Sequence, residues 1–395
     1  VKAKSSVYKE RFALTLEHKP VDRCPIDLGG TPQSTIESEA MIEKVAEVLA
    51  RDGDTKLYSQ KTANKVLCPR TSEYNKFDRR ILEHFDIDLR RAGALIGFRT
   101  GREKKLSDTE SVDCWGIRHR FSGKYWDIVE GPLHHATIDD VKAYEFPRVD
   151  QIPAGLLDDC AERAKYLYEN TPYVIAGEHP VFGVLELACW LCGYDHIMLM
   201  LAMDPEFIHL LFGKILDFQK AIIREYYGKI GKYIHLTTSG DDFGTQKGPF
   251  MSPAMWREFV KPYMAERIKY TAQFTDAVYM HHSCGSIFDI IPDLAEIGVK
   301  ILNPIQPAAE GMKPERLKKA YGSRIVFHGG LDTQVVLPSN NAKTIKAAVD
   351  NLLKVMDTQR SGGYIFAAAH NIQDDVSPEA VVEMYMAAQS FFKSH

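Results

Sequence analysis

Short apolar runs that stop at polar or glycine residues recur along this chain. Most are followed by apolar positions at helical spacing, so the pattern predicts strands and helices in alternation. The runs are Cys24–Gly30, the weaker Ile87–Arg90, Tyr173–Glu178, Tyr233–Thr238, Ala277–Met280 leading into His282 and Cys284, Val299–Gln306, Ile325–Asp332 and Tyr364–Asn371. Helices are predicted over Pro253–Phe274, Ile287–Ile297, Pro314–Ala320, Ala342–Met356 and Pro378–Phe392, the last with Ser377 as N-cap and Pro378 in the first helical position. Alternating strand and helix implies parallel strands. Eight of them in a chain of 395 residues predict an α/β fold of the (β/α)8 TIM-barrel type, with a doubly wound open sheet as the alternative. Two stretches exceed a minimal barrel: Phe98–Leu133 reads as a hairpin inserted after the second strand, expected to cover one side of the barrel mouth. Leu185–Ile230, broken at Asp204-Pro205, reads as extra helices between strands three and four. No Pro/Gly/Ser-rich linker divides the chain, so residues 1–395 are expected to form a single domain.

In a barrel of this kind the chemistry sits at the carboxyl ends of the strands, where this chain carries Asp27, Glu178, Asp242, His282, Cys284, Asn303, His328 and His370. Of these ends, His282-Ser283-Cys284-Gly285 is the most informative. Side chains alternate along a strand, so His282 and Cys284 share one face while His281 and Ser283 share the other. An imidazole and a thiolate on one face suit a zinc ion, which needs a third protein ligand; in isolation the same pair is also what a buried Cys beside a hydrogen-bonded His looks like. If the eighth strand closes beside the first and seventh, His370 supplies that ligand and a fourth tetrahedral position stays open for chemistry. Asp241 and Asp242 are candidate catalytic carboxylates, only one of which is expected to face the site. Asp27, Glu178, Asn303, Gln306, His328 and Asn371 are candidate substrate contacts, with Asn303, Gln306 or one of the two aspartates also able to orient a metal-bound ring. Cys189-Trp190-Leu191-Cys192 has metal-like spacing but lies in an apolar stretch with no second such pair, and is read as helix packing.

Composition narrows the partners. A formal net charge of −4 without a long basic run argues against nucleic acid and anionic membrane surfaces, and no charge-free stretch is long enough to span a bilayer. Residues 1–20 hold no uninterrupted apolar segment of signal-peptide type, and the seven cysteines follow no framework of spacings, which points to a reduced, cytoplasmic setting. Neither a GxGxxG nor a GxxxxGK[ST] pattern is present, so a nucleotide cofactor has no sequence support.

The chain resembles the uroporphyrinogen decarboxylase superfamily, and within it the cobamide-dependent methyltransferase branch. The resemblance is carried by Arg11-Phe12-Ala13-Leu14, Pro20-Val21-Asp22-Arg23-Cys24-Pro25, Asp113-Cys114-Trp115-Gly116-Ile117, Gly240-Asp241-Asp242, His282-Ser283-Cys284-Gly285, Gly329-Gly330-Leu331-Asp332-Thr333-Gln334, and His370-Asn371-Ile372-Gln373 with Pro378-Glu379. It implies a (β/α)8 barrel and, in the thiol methyltransferases, a zinc ion bound by a His-x-Cys pair and a later Cys. Here His370 stands where that Cys would be, which leaves the metal with one negative charge fewer. The decarboxylases hold porphyrin carboxylates with arginines just after the first strand, whereas this chain has Asp27-Leu28-Gly29-Gly30-Thr31-Pro32-Gln33-Ser34 there. The resemblance therefore implies a zinc-dependent methyltransferase that either demethylates a small O-, N- or S-methyl substrate or transfers methyl from methylcobamide to an acceptor, with cobalamin carried by a separate corrinoid protein, since no Asp-x-His-x-x-Gly segment is present to ligate it. A metal-free decarboxylase is the alternative, and a non-catalytic ligand-binding barrel a second; a homodimer is one assembly left open.

Overall fold

The continuous apolar runs of the sequence become parallel strands buried on both faces, as strands covered by helices must be. The computed structural model describes residues 6–51, 79–123 and 125–394. In chain order its strands are β1 (Leu89–Ala92), β2 (Lys104–Lys105), β3 (Glu110–Val112), β4 (Arg118–Phe121), β5 (Trp126–Glu130), β6 (Val174–Glu178), β7 (Leu236–Gly240), β8 (Val278–His282), β9 (Val299–Asn303), β10 (Val326–His328) and β11 (Tyr364–Ile365). A seven-stranded sheet has the order β1-β6-β7-β8-β9-β10-β11, with every pairing parallel.

The sheet curls. Leu89, Val174, Ala176, Leu236, Met280, Ile301, Val326 and Ile365, drawn from all seven strands, pack into one cluster with Phe12 of the helix Val7–Leu16, and all are buried. A flat sheet could not bring its first and last strands to one cluster, so these residues fill a common interior, and the arrangement is consistent with a TIM-like barrel. The second apolar layer lies between the strands and the surrounding helices.

Between the sheet's edges runs the first predicted strand, much reduced. The amide of Asp27 donates to the Phe366 carbonyl (2.9 Å), Phe366 donates back to Pro25 (2.8 Å), and Asp88 donates to the Ile26 carbonyl (2.9 Å). The segment stays a single bridge because Pro25 has no N–H, the Ile26 amide is taken by the Asp88 carboxylate (2.9 Å), and the chain turns back at Gly29, whose φ is 69°. Asp88 is fully buried and also binds Arg11 (2.5 Å) and Arg23 (2.6 Å), so two guanidiniums and one amide satisfy a carboxylate at the amino-terminal end of β1. The block Arg11…Arg23-Cys24-Pro25 is thus a clasp that ties the amino-terminal segment to β1.

Three differences from the sequence reading have local causes. The predicted hairpin is a four-stranded antiparallel meander, β2-β3-β4-β5; β2 and β3 are polar and at least partly exposed, so they leave no apolar alternation to read, and Lys124 lies outside the described residues. Tyr125 on this meander donates to Gln373 (2.5 Å), just beyond His370. The stretch Leu185–Ile230 forms three helices, Val184–Cys192, Tyr194–Met203 and Pro205–Ile230, with a break at Gly193 (φ 92°) besides the one at Asp204, which caps the Phe207 amide (3.0 Å). The helix predicted over Pro253–Phe274 contains a π turn at Trp256–Val260, where the Lys261 amide reaches back to Trp256. Pro262 cannot donate to the carbonyl four residues earlier and crowds it, and the widened turn accommodates the ring. Among the described residues no single helix is long and apolar enough to cross a membrane.

Candidate metal centre

β8 builds the site by simple alternation. Met280 packs in the interior cluster shared by the seven strands, so His282, two residues on, points the same way one layer higher, while His281 turns outward and stacks on Phe243 (ring centroids 5.3 Å apart). Cys284 follows in a loop fixed from several sides. Its amide donates to Asp242 Oδ1 (2.8 Å), the Ser283 hydroxyl accepts from the Phe243 amide (2.9 Å), and the Gly285 amide donates to Gln306 Oε1 (2.7 Å). Gly285 has φ of 80°, and a Cβ there would lie 2.4 Å from the Gly244 backbone. Only glycine permits this contact between the loops after β7 and β8.

His282, Cys284 and His370 offer one nitrogen, one sulfur and one nitrogen that all lie within 4.8 Å of one another, and Cys284 Sγ is 3.3 Å from His282 Nε2. Ligands of a tetrahedral zinc ion are separated by about 3.5 Å when the metal–ligand bonds are 2.0–2.3 Å long. The donor set therefore fits zinc in chemistry and in spacing. Burial pushes the Cys284 thiol up to about 12, with the charges of Asp242 and Glu186 adding to it. Burial also pushes His370 down to about 4, assisted by His282 and opposed by Asp242. Without a cation the cluster is therefore a neutral imidazole beside a protonated thiol, and a divalent ion at this point would displace the thiol proton.

Below and beside the cluster is a cavity of about 350 Å³ lined by Gln33, Glu178, Phe182, Glu186, Asp242, His282 and His370, among others. Of the sequence-predicted substrate contacts Glu178 lines it, and so does Asp242, one of the two candidate catalytic carboxylates. Glu178 is bound by Arg91, through Nε at 3.0 Å and through Nη2. The Asp242 carboxylate comes within 3.8 Å of His282 Nε2. Asp241 turns away and caps the helix Val184–Cys192, accepting from the amides of Glu186 (2.8 Å) and Leu185 (3.2 Å); burial pushes it up to about 7 against those two bonds.

The other predicted contacts are placed elsewhere. Gln306 holds the Gly285 amide, and Asn371 accepts from Thr35 (3.1 Å) and donates to Glu37 (3.3 Å), joining the first loop to the end of the last strand. Asp27, Asn303 and His328 are fully buried and line no part of the cavity. Asn303 touches His282 Nδ1 (2.5 Å), His328 touches Asn303 (2.7 Å), and Asp27 touches His328 (2.9 Å).

Two residues near the site were not anticipated. Glu186 sits in the apolar run that had read as helix packing, and burial together with Asp241 and Asp242 holds it well above the usual carboxylate range. A lone acid in an otherwise apolar helix was the available signal. Arg91 lies one residue past the end of its predicted strand. Cys189 and Cys192 are both buried in the same helix as Glu186, as free thiols.

A parallel sheet with its polar groups gathered at the carboxyl ends of the strands defines a class of enzyme-like scaffolds, and comparison with known proteins narrows it. Residues 129–391 match the family model described as uroporphyrinogen decarboxylase (URO-D). The chain belongs to that family. It is 25% identical over 211 residues to the uroporphyrinogen decarboxylase of Xanthomonas euvesicatoria pv. vesicatoria (strain 85-10), an overlap of 51% of this chain and 54% of that protein, so the chain spans about half the length of the curated relative it matches. A methyltransferase from Methanosarcina mazei shares the fold with a TM-score of 0.65 at 15% identity, over 98% of this chain and 100% of that one.

Proposed function

We propose that this protein is a zinc-dependent methyltransferase, one barrel domain that acts on a small methylated substrate and exchanges the methyl group with cobalamin on a separate corrinoid protein docked over the mouth. The observation that carries the reading is the convergence of His282, Cys284 and His370 beside a cavity bordered by Asp242 and Glu186. Zinc, when bound there, supplies a Lewis acid able to polarise the heteroatom that carries or receives the methyl group.

The chain's own residues do the rest. His282 and His370 offer neutral nitrogens, and Cys284 becomes a thiolate only against a cation, giving a centre with one protein charge. Asp242 fixes the Cys284 loop through one oxygen and presents its carboxylate to the cavity. Glu186, held well above the usual carboxylate range by burial and by two neighbouring carboxylates, is the group placed to hand a proton to a heteroatom that gives up its methyl group, and the Asp242 carboxylate faces the same cavity. The Arg91–Glu178 pair leaves its guanidinium engaged, and no arginine is among the described residues that line the cavity. A polycarboxylate would find little neutralising charge, which favours methyl transfer over decarboxylation of a porphyrinogen.

The test is to purify the chain, measure bound zinc, and assay methyl exchange with methylcobalamin and with small O-, N- and S-methyl compounds. Near one zinc per chain, with exchange abolished in Cys284→Ser, is expected. Decarboxylation that is indifferent to chelators would overturn the reading.

A further inference from the structure

His282, Asn303, His328 and Asp27 form one directional chain of hydrogen bonds. Its three links, 2.5, 2.7 and 2.9 Å, run from His282 Nδ1 to Asn303 Oδ1, from Asn303 Nδ2 to His328 Nδ1, and from His328 Nε2 to Asp27 Oδ2. The four residues come from the ends of β8, β9 and β10 and from the segment that bridges the sheet's edges. Asp27, Asn303 and His328 are fully buried and His282 is 7% exposed, so water is excluded from most of the chain.

With a neutral His328 ring, each link has only one workable polarity. Asp27 is an acceptor on both oxygens, taking the Gly30 amide on Oδ1 (2.9 Å) and the Ser34 hydroxyl on Oδ2 (2.5 Å) besides His328. His328 must therefore donate from Nε2, which leaves Nδ1 as its acceptor. Asn303 must meet that acceptor with its NH2 group, so its carbonyl oxygen faces His282. His282 must then carry its proton on Nδ1, and the lone pair is left on Nε2, facing Cys284 Sγ at 3.3 Å. In the opposite polarity the unprotonated Nε2 of His328 would face an Asp27 oxygen at 2.9 Å in a dry interior, two acceptors opposed.

We infer that Asp27, His328 and Asn303 are positioning residues that select the Nδ1–H tautomer of His282 and so aim its Nε2 lone pair at the site, a carboxylate acting on the metal ligand through two relays. The inference rests on the metal reading for its purpose, but not for its geometry. Asp27 and His328 touch neither the cavity nor any of the three ligand atoms, yet they decide which nitrogen of His282 can bind an ion. Outer partners of a metal-bound histidine typically set metal affinity by roughly 10–100-fold.

The experiment uses the full chain with selectively 15N-labelled histidine. In zinc-free wild type, at a pH where the rings are neutral, His282 is expected to show a protonated Nδ1 and a bare Nε2. In Asp27→Asn the amide can donate to His328, the chain reverses, and the His282 proton moves to Nε2; zinc affinity measured against a chromophoric chelator falls by about 10–100-fold. The double variant Asp27→Asn/Asn303→Asp offers an acceptor directly to His282 and a donor to His328, and both the Nδ1–H signature and the affinity return. Should Asp27→Asn not fold, Asn303→Leu cuts the chain without touching Asp27 and is expected to leave the tautomers mixed and the affinity lowered.

A His282 tautomer that does not respond to any of these variants would overturn the inference, as would a double variant no better than the single. If wild type binds no zinc the metal reading fails, and the nitrogen signals still decide the relay.

Discussion

Two buried polar clusters meet the same short segment, Pro25–Asp27, and they are built on opposite principles. At the amino-terminal end of β1, Asp88 is surrounded by Arg11, Arg23 and the Ile26 amide, which occupy both carboxylate oxygens, and the two arginines are paired further with Asp22 and Asp86. At the carboxyl ends, Asp27 begins a chain of hydrogen bonds that passes through His328 and Asn303 to a nitrogen of His282 beside Cys284 and His370. The first cluster runs only between arginines and carboxylates and ties the amino-terminal segment to the sheet. The second ends in donor atoms with room for an ion. A buried carboxylate in this fold therefore does not by itself mark a site; what distinguishes the two is whether the network terminates in itself or at a cavity.

That contrast can be broken most forcefully at Asp88. Removing Asp88 strips two guanidiniums of their only fully buried partner and leaves them the more exposed Asp22 and Asp86, so Asp88→Ala should cost about 3 kcal/mol in urea unfolding. Zinc affinity of the protein that remains folded should be unchanged. A cost below about 1 kcal/mol would mean that the clasp is not a closed interior network.

A smaller effect is expected from acid. His235, at the start of β7, accepts the Ile175 amide on Nδ1 (2.9 Å), and burial, aided by the charge of Lys9, pushes it down to about 4. The unfolded chain takes up this proton near 6.5 and the folded chain only near 4, so the stabilisation is whole above the upper value and is lost as pH falls between the two. The loss attributable to this ring is about 2–3 kcal/mol, and His235→Asn, which keeps an acceptor but cannot titrate, should remove that part of the slope. An identical pH profile in the variant would contradict it. The smallest effect belongs to Cys192→Ala in the buried C-x-x-C: roughly 1 kcal/mol of packing with no change in bound zinc. Loss of zinc would relocate the metal centre to that helix.

Much of the fold was legible because parallel strands buried on both faces write themselves as unbroken apolar runs; seven of the eight expected strands are present. Cys24–Gly30 falls short because its amides are diverted to a side chain and a turn, which no local pattern reveals. Within the site, the inward aim of His282 follows from the two-residue period of β8 and His370 follows from the position of its strand in the order, whereas Cys284 lies past the strand and is brought beside His282 by the loop that Asp242 and Gln306 hold. The destinations of Asp27, Asn303, His328, Gln306 and Asn371 were not legible, since each depends on partners distant in sequence, in the case of Asp27 and His328 by 301 positions. Sequence marks them only as polar residues at strand ends. It cannot say whether such a residue faces a cavity, an amide or another ring, and Glu186 shows the converse, a cavity-facing acid concealed in an apolar helix.

X-ray absorption at the zinc edge of the metal-loaded protein reads directly whether one ion is held by two imidazoles and one thiolate. One sulfur at about 2.3 Å and two imidazole nitrogens at about 2.0–2.1 Å, with the sulfur shell lost in Cys284→Ala, is the predicted result. A shell with no sulfur, or with two or more, would contradict it.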